Sequence, residues 1–210
     1  MVAYSAPGKT AAMYPVRQTG QARALFLFRR AEELHYDHRD LAQQRRLLRE
    51  AFAEQAWELP RLLSDLEHAG DFYFDSISQI RMESWSSGPV TLVGDAGYCP
   101  GPAVGGGTAL AVLGAYVLAG ELRAASGDPA TAFRCYETEL GEVVRRFRTI
   151  GPTVMKTLIP ATPLQVWLTT QVLRLVPRLP AALQRRLSAF QGRPARALQA
   201  ITLRDYRPTA

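Results

Sequence analysis

The chain has 210 residues, enough for one large domain or parts of two, and 47% of them are hydrophobic, which excludes global disorder. The net charge of +6 does not form a nucleic-acid face: acids and arginines alternate through Arg29–Glu33 and Arg45–Glu54, and the surplus gathers in the tail at Arg174, Arg178, Arg185, Arg186, Arg193 and Arg196. Cys99 and Cys135 make no disulfide framework, and Met1–Thr10 lacks the apolar core of a secretion signal, so a reducing, cytoplasmic setting is expected.

In chain order, Ala11–Pro15 and Ala22–Phe28 read as two strands of a hairpin around Gln18-Thr19-Gly20-Gln21. Arg39–Ala56 has a helical pattern, with Leu41, Leu48, Phe52 and Ala56 along one side. Pro60 suits the first turn of a second helix, Arg61–His68, stopped by Gly70. Phe72–Met82 alternates and predicts a bent strand. Ser86-Ser87-Gly88-Pro89 is a turn, and Val90–Val93 a short buried strand. A glycine-rich loop leads into a helix from Gly107 to Ala125. Asp128 caps another, Pro129–Arg148, which Gly151-Pro152 closes. The tail is helical and broken by Pro160, Pro163, Pro177 and Pro180. A spanning helix needs about 20 apolar residues. Glycines and prolines interrupt Ala96–Gly120, and Thr157–Leu173 is short with two prolines, so neither is expected to cross a membrane.

The informative stretch is Val90–Glu121. A strand ending in Gly94-Asp95 would place a carboxylate at a strand's C-terminal edge, where open α/β sheets bind ligands. A carboxylate suits ribose-type hydroxyls because it accepts more than one hydrogen bond. Downstream, Gly105, Gly106 and Gly107 remove every Cβ just before a helix, so bare amides and the positive end of the helix dipole face outward. Pro100 and Pro102 stiffen the approach. The arrangement suits a flat ligand with polar edges. As the bland alternative, Asp95 is simply a turn or helix cap.

This stretch resembles the G-D segment of the class A FAD-dependent monooxygenases, the para-hydroxybenzoate hydroxylase-like flavoproteins, which runs G-D-A-A-H-x-x-P-P-x-x-G-x-G-x-N-x-A. Gly94, Asp95 and Ala96 match, as do Pro102, Gly105, Gly107 and Ala111. Tyr98 stands where histidine is usual, Gly101 replaces the first proline, and Ala109 replaces asparagine. The resemblance covers Met1–Ile150. It implies that Asp95 holds the ribityl or ribose region of FAD, while Pro102, Gly105, Gly106, Gly107 and Thr108 lie against the flavin ring. It also implies an enzyme in which NAD(P)H reduces FAD and O2 then oxygenates a small organic substrate by hydroxylation or epoxidation.

The implied architecture is α+β. A partial substrate-binding sheet with helices spans 1–88, the C-terminal part of an FAD-binding domain spans 89–150, and a helical tail spans 151–210. The family's opening G-x-G-x-x-G turn, which takes the FAD pyrophosphate, is not in the sequence. The expectation is therefore an incomplete chain, inactive alone, needing a separate N-terminal FAD-binding half.

Substrate-facing candidates are Met13, Tyr14, Phe72, Phe74 and Ile80, with core packing the competing role for each. His35 and His38 have metal-compatible spacing but no third ligand nearby, so no metal site is expected. Cys99 has no histidine close in sequence and reads as a small buried thiol rather than a nucleophile. The tail, with Trp167, Leu168, Val172, Leu173, Leu175 and Val176 among arginines, leaves a second function class open: a non-catalytic helical protein lying on an anionic membrane surface.

Overall fold

The computed structural model describes residues 1–102, 105–176, 180 and 204–206. The chain divides into two units, Met1–Ser76 with Lys156–Arg178, and Ile77–Met155 with Leu179–Ala210. Both mix helices with small antiparallel sheets, an α+β fold. Of the expected features, Ala103-Val104, Pro177, Arg178, Arg185, Arg186, Arg193 and Arg196 lie outside the described residues.

The first unit holds a three-stranded sheet in the order β1 (Val2–Ala6), β2 (Lys9–Val16), β3 (Gln21–Phe28). The expected hairpin is β2–β3, in register from Lys9 opposite Phe28 to Val16 opposite Gln21. β1 was not anticipated; it pairs with β2 from Val2 opposite Met13 to Ala6 opposite Lys9. Ala11, Phe26 and Phe28 share one face. On it lies α1 (Leu41–Phe52), whose Leu48, Ala51 and Phe52 close the core together with Leu59 and Leu66. Phe52 is fully buried and meets Phe26 and Phe28 edge-on at 5.2 and 6.1 Å. Each such ring contributes about 1.5–3 kcal/mol on burial.

α1 is shorter than Arg39–Ala56. Asp40 caps it, accepting from the Gln43 amide at 2.9 Å. Leu41 is exposed, so the apolar side begins at Leu48. Pro60 sits in the first turn of α2 (Leu59–Asp65), and a single 3-10 turn, Leu66–His68, completes the second predicted helix.

Phe72–Met82 is not a strand. Among the described residues it pairs with no ladder; its Ile80 amide donates instead to the Cys99 carbonyl at 3.0 Å. The alternation arose because Phe72 and Phe74 pack on the first unit's core, not because a sheet continues.

In the second unit, β4 (Ser86–Ser87) and β5 (Val90–Thr91) form a minimal hairpin turning at Gly88, whose φ is +55°. The expected strand Val90–Val93 is thus only two residues long, and Val90 is exposed rather than buried. The body of the unit is a pair of helices, α4 (Gly107–Ala124) and α5 (Pro129–Leu158), after the single turn α3 (Asp95–Tyr98). Leu110, Leu113 and Val117 of α4 pack with Tyr136, Leu140, Val144 and Phe147 of α5, at the i, i+3, i+4 spacings that place residues on one helical face.

Gly151-Pro152 does not close α5, which runs on to Leu158 with Pro152 inside it. A proline there removes the N–H that would bond the carbonyl of Arg148 and ordinarily costs about 3 kcal/mol or more. The Gln79 side chain supplies the replacement, its Nε2 donating to the Arg148 carbonyl at 3.1 Å. After Pro160, Thr162 caps α6 (Pro163–Leu175) by accepting from the Gln165 amide.

Candidate functional site

Gly94 begins the site. Its φ of +69° is the left-handed region that disfavours side chains, and a Cβ there would stand 3.0 Å from the Ala111 Cβ of α4. Backbone and helix therefore approach more closely than any other residue allows. The chain then coils at once into α3, with the Gly97 and Tyr98 amides donating to the Gly94 carbonyl at 3.1 and 3.0 Å. Asp95 is thus not at the tip of a strand, as expected; β5 ends at Thr91, and Asp95 opens a one-turn helix with its side chain exposed.

Below Asp95 the loop is anchored by Tyr98, which is fully buried. Its hydroxyl lies 2.9 Å from that of Tyr136, and the Tyr136 hydroxyl also donates to the Leu92 carbonyl at 3.2 Å. Burial, followed by the hydrogen bond to Tyr98, pushes the Tyr136 phenol well above its ordinary value, so it remains a neutral donor. Gly114 of α4 faces this pair; the Tyr98 hydroxyl fills the place a Cβ would take.

Cys99 is half-buried, and burial pushes its thiol up, with the neighbouring Asp95 carboxylate acting in the same direction. Both effects disfavour the thiolate, the nucleophilic form. Pro100 is buried, Gly101 has φ +86°, and Pro102 is exposed. Gly105 is exposed with φ +67°, and its amide donates to the Pro102 carbonyl at 3.2 Å. Gly106 is buried because the ring of Phe147 occupies the place of its Cβ. Gly107 opens α4. A Cβ on Gly107 would lie 3.5 Å from Asp95 Oδ1 and 4.0 Å from Pro100 Cδ.

This last pair of distances brings the acidic and glycine parts of the loop together. The first turn of α4 has no side-chain cap, so its leading amides are unpaired within the helix and carry the positive end of its dipole. Beside them stands an exposed carboxylate. Thr108 is exposed on the same turn.

The substrate candidates are more scattered. By strand alternation Met13 lies on the α1 side of the sheet with Ala11, whereas Tyr14 is exposed on the opposite face; the two do not line one surface. Phe72 and Phe74 stack at 6.4 Å and join the core, with Arg45 over the Phe72 ring at 5.4 Å and Tyr36 edge-on to Phe74 at 5.1 Å. Ile80, in the second unit, is 37% exposed. His35 and His38 join no group of three or more His, Cys, Asp or Glu that could hold a metal among the described residues. The described residues contain no helix long and apolar enough to cross a membrane.

Sequence reasoning missed Gln79. Its Nε2 donates to the Pro100 carbonyl at 2.9 Å as well as to Arg148, and its Oε1 accepts from Arg81 Nη2 at 3.2 Å. The signal was present but distant: a proline within a helical run implies an orphaned carbonyl four residues earlier.

Comparison with known proteins places these features in context. No family model matches. A flavin-dependent monooxygenase of Legionella longbeachae is 43% identical over 138 residues, 66% of this chain and 35% of that protein. An uncharacterized protein of Mycobacterium tuberculosis is 46% identical over 136 residues, 65% of this chain and 36% of its own length. A monooxygenase of Cercospora beticola is 36% identical over 173 residues, 77% of this chain and 40% of its own length. Among solved structures, tetracycline destructase Tet(55) aligns with a TM-score of 0.77 at 36% identity, covering 96% of this chain and 49% of that one. Tet(51) aligns with 0.73 at 32%, covering 97% and 50%. The chain is thus homologous to flavin-dependent monooxygenases and spans half or less of the length of these relatives.

Proposed function

We propose that Gly94–Thr108 is the flavin-facing loop of an FAD-dependent monooxygenase, and that the complete enzyme uses NAD(P)H and O2 to hydroxylate or epoxidise a small organic substrate. One observation carries this reading: the Asp95 carboxylate stands 3.5 Å from the Cβ position of Gly107, at an uncapped helix N-terminus. An acceptor next to a row of donors fits a ligand whose polar edge carries both hydroxyl groups and carbonyl oxygens, as a flavin's does.

In this reading Asp95 accepts hydrogen bonds from the ribityl or ribose hydroxyls. The amides of Gly106, Gly107 and Thr108 donate to carbonyl oxygens of the ring, and Gly105, its own amide held by the Pro102 carbonyl, lies against the ring beside them. Pro102 lies against the ring as a rigid apolar wall. The missing Cβ at Gly107 lets the ligand approach the backbone, whereas the one at Gly106 makes room for the Phe147 ring. Bound FAD would supply the redox chemistry with NAD(P)H and O2 that no protein side chain can perform. The chain contributes position and exclusion of water, which agrees with the absence of an acid–base pair in the loop. Met13, Tyr14, Phe72, Phe74 and Ile80 are proposed to face the substrate in the complete enzyme. The sequence holds no G-x-G-x-x-G, so no pyrophosphate contact is assigned to these 210 residues.

Titration of the 210-residue chain with FAD, followed by flavin absorbance and fluorescence, tests this. Weak, saturable binding that disappears in Asp95→Ala is expected. Equal binding by Asp95→Ala, or none by the unaltered chain, would overturn the flavin reading. Flavin retained tightly through purification of the chain alone would overturn the half-site.

A membrane-surface role has one supporting observation: Trp167, Leu168, Val172, Leu173 and Leu175 of α6 are all exposed. Sedimentation with anionic phosphatidylserine vesicles discriminates. The flavin reading expects the chain to remain in the supernatant; pelleting that salt weakens would favour the membrane.

A further inference from the structure

We infer that Gln79 is a positioning residue for the flavin-facing loop, tying its backbone to α5 at the point where Pro152 leaves a helix carbonyl without a partner. The inference rests on the flavin reading for what the loop binds, but not for how the loop is held.

The side-chain amide of Gln79 has two N–H groups, and both are used. One goes to the Pro100 carbonyl at 2.9 Å, within the loop; the other goes to the Arg148 carbonyl at 3.1 Å, on α5. The amide cannot be turned over. Its two carbonyl partners require the nitrogen on that side, and Arg81, a pure donor, requires the oxygen on the other at 3.2 Å. All three contacts therefore agree on one orientation, and the group is held by chemistry at each end.

The neighbouring backbone adds two restraints. The Ile80 amide donates to the Cys99 carbonyl at 3.0 Å. Gly101, at φ +86°, passes so close that a Cβ would stand 3.1 Å from the Ser78 carbonyl oxygen. Segment 78–80 thus braces residues 99–101, immediately before Pro102, which the flavin reading places against the ring.

Pro152 explains why a side chain can occupy this place. In an uninterrupted helix, the amide of residue 152 would bond the Arg148 carbonyl and compete there with Gln79. The proline makes that carbonyl available, and α5, the longest helix among those described, becomes the fixed post to which the loop is tied. Pro152 and Gln79 therefore act together although they are far apart in the chain. Removing Gln79 strands two buried-side acceptors, and only one of them belongs to the loop.

The test uses the 210-residue chain with Gln79→Met, which keeps length but removes the donors, and Gln79→Glu, which keeps shape but presents acceptors to acceptors. Pro152→Ala is added alone and in combination with Gln79→Met. Amide hydrogen exchange is read at Cys99, Gly101 and Gly105, with the 136–144 segment of α5 as a control for folding. Both Gln79 variants are expected to raise exchange in the loop about tenfold, the factor that ~1.4 kcal/mol represents, while the control stays unchanged. Pro152→Ala restores a partner for Arg148 but none for Pro100, so in combination with Gln79→Met the loop is expected to remain fast. Unchanged loop exchange in both Gln79 variants would overturn the inference. So would recovery of slow exchange in the double variant, because the loop would then have responded only to damage in α5. FAD titration of the same proteins separates the two readings: if the loop responds as expected while the unaltered chain binds no FAD, Gln79 positions the loop and the flavin reading fails.

Discussion

Adjacent glycines at the start of α4 should respond in opposite senses to the same added methyl group. At Gly106, the place of the Cβ is taken by the ring of Phe147, which is fully buried and has nowhere to move. Gly106→Ala therefore overpacks the α4–α5 core, at about 1–3 kcal/mol. It also puts alanine, a poor N-cap, where glycine stood, at roughly a further 1 kcal/mol. At Gly107 the nearest atoms to a Cβ are Asp95 Oδ1 at 3.5 Å and Pro100 Cδ at 4.0 Å, ordinary contact distances. The residue is in the first turn of the helix, and alanine there reduces the freedom of the unfolded chain, a gain of about 0.4–1 kcal/mol. Yet this methyl would stand between the carboxylate and the helix amides, where the ligand is proposed to enter. Urea denaturation should show Gly106→Ala destabilised by about 2–3 kcal/mol and Gly107→Ala as stable as the parent or slightly more so. FAD titration should show Gly107→Ala impaired in spite of its stability. A Gly106→Ala protein as stable as the parent would refute the packing argument; a Gly107→Ala protein that binds FAD normally would refute the cradle.

Gly114→Ala displaces the Tyr98–Tyr136 hydroxyl pair, and the lost hydrogen bonding and overpacking outweigh the roughly 1 kcal/mol that alanine otherwise gains in a helix. Thermal denaturation should show a lower Tm for Gly114→Ala and a partial recovery when Tyr98→Phe is added; no recovery would mean the hydroxyl is not the obstacle. Acid should weaken the fold gently. Glu67 beside Arg49, Asp75 hydrogen-bonded by Tyr73, Asp128 hydrogen-bonded by Thr131, and Glu142 between Arg145 and Arg146 are all held below their ordinary values. A depressed carboxylate stabilises the fold above its unfolded value and loses that contribution as pH falls through its folded value. Tm should therefore be flat near neutrality and decline below about pH 4, modestly, since these groups are exposed. A Tm that rises on acidification would contradict the assignment.

What the sequence revealed followed from how local the cause was. The β2–β3 hairpin was legible because Thr19-Gly20 and the apolar run Ala24–Phe28 lie side by side in the chain. The loop Gly94–Gly107 was legible because its glycines and prolines encode backbone conformation directly, as the positive φ angles of Gly94, Gly101 and Gly105 show. Where the cause was distant, pattern misled. Phe72 and Phe74 alternate because both reach one core from an irregular segment, and alternation alone does not distinguish that from a strand. Pro152 reads as a helix end unless residue 79 is known to replace its missing bond. Asp95 was read as lying at a strand's edge because nothing local showed that Gly94 would turn the chain into a helix three residues after β5. Of the substrate candidates, Met13 and Tyr14 fall on opposite faces of one strand, an outcome fixed by the two-residue period itself.

Backbone amide resonances of the 210-residue chain, recorded while FAD is added, test the flavin-facing loop directly. The amides of Gly105, Gly106, Gly107 and Thr108, with that of Asp95, are expected to shift together along one binding curve, and Asp95→Ala to abolish those shifts while leaving the α5 resonances in place. Shifts confined to other residues, or loop shifts that survive in Asp95→Ala, would contradict the flavin reading.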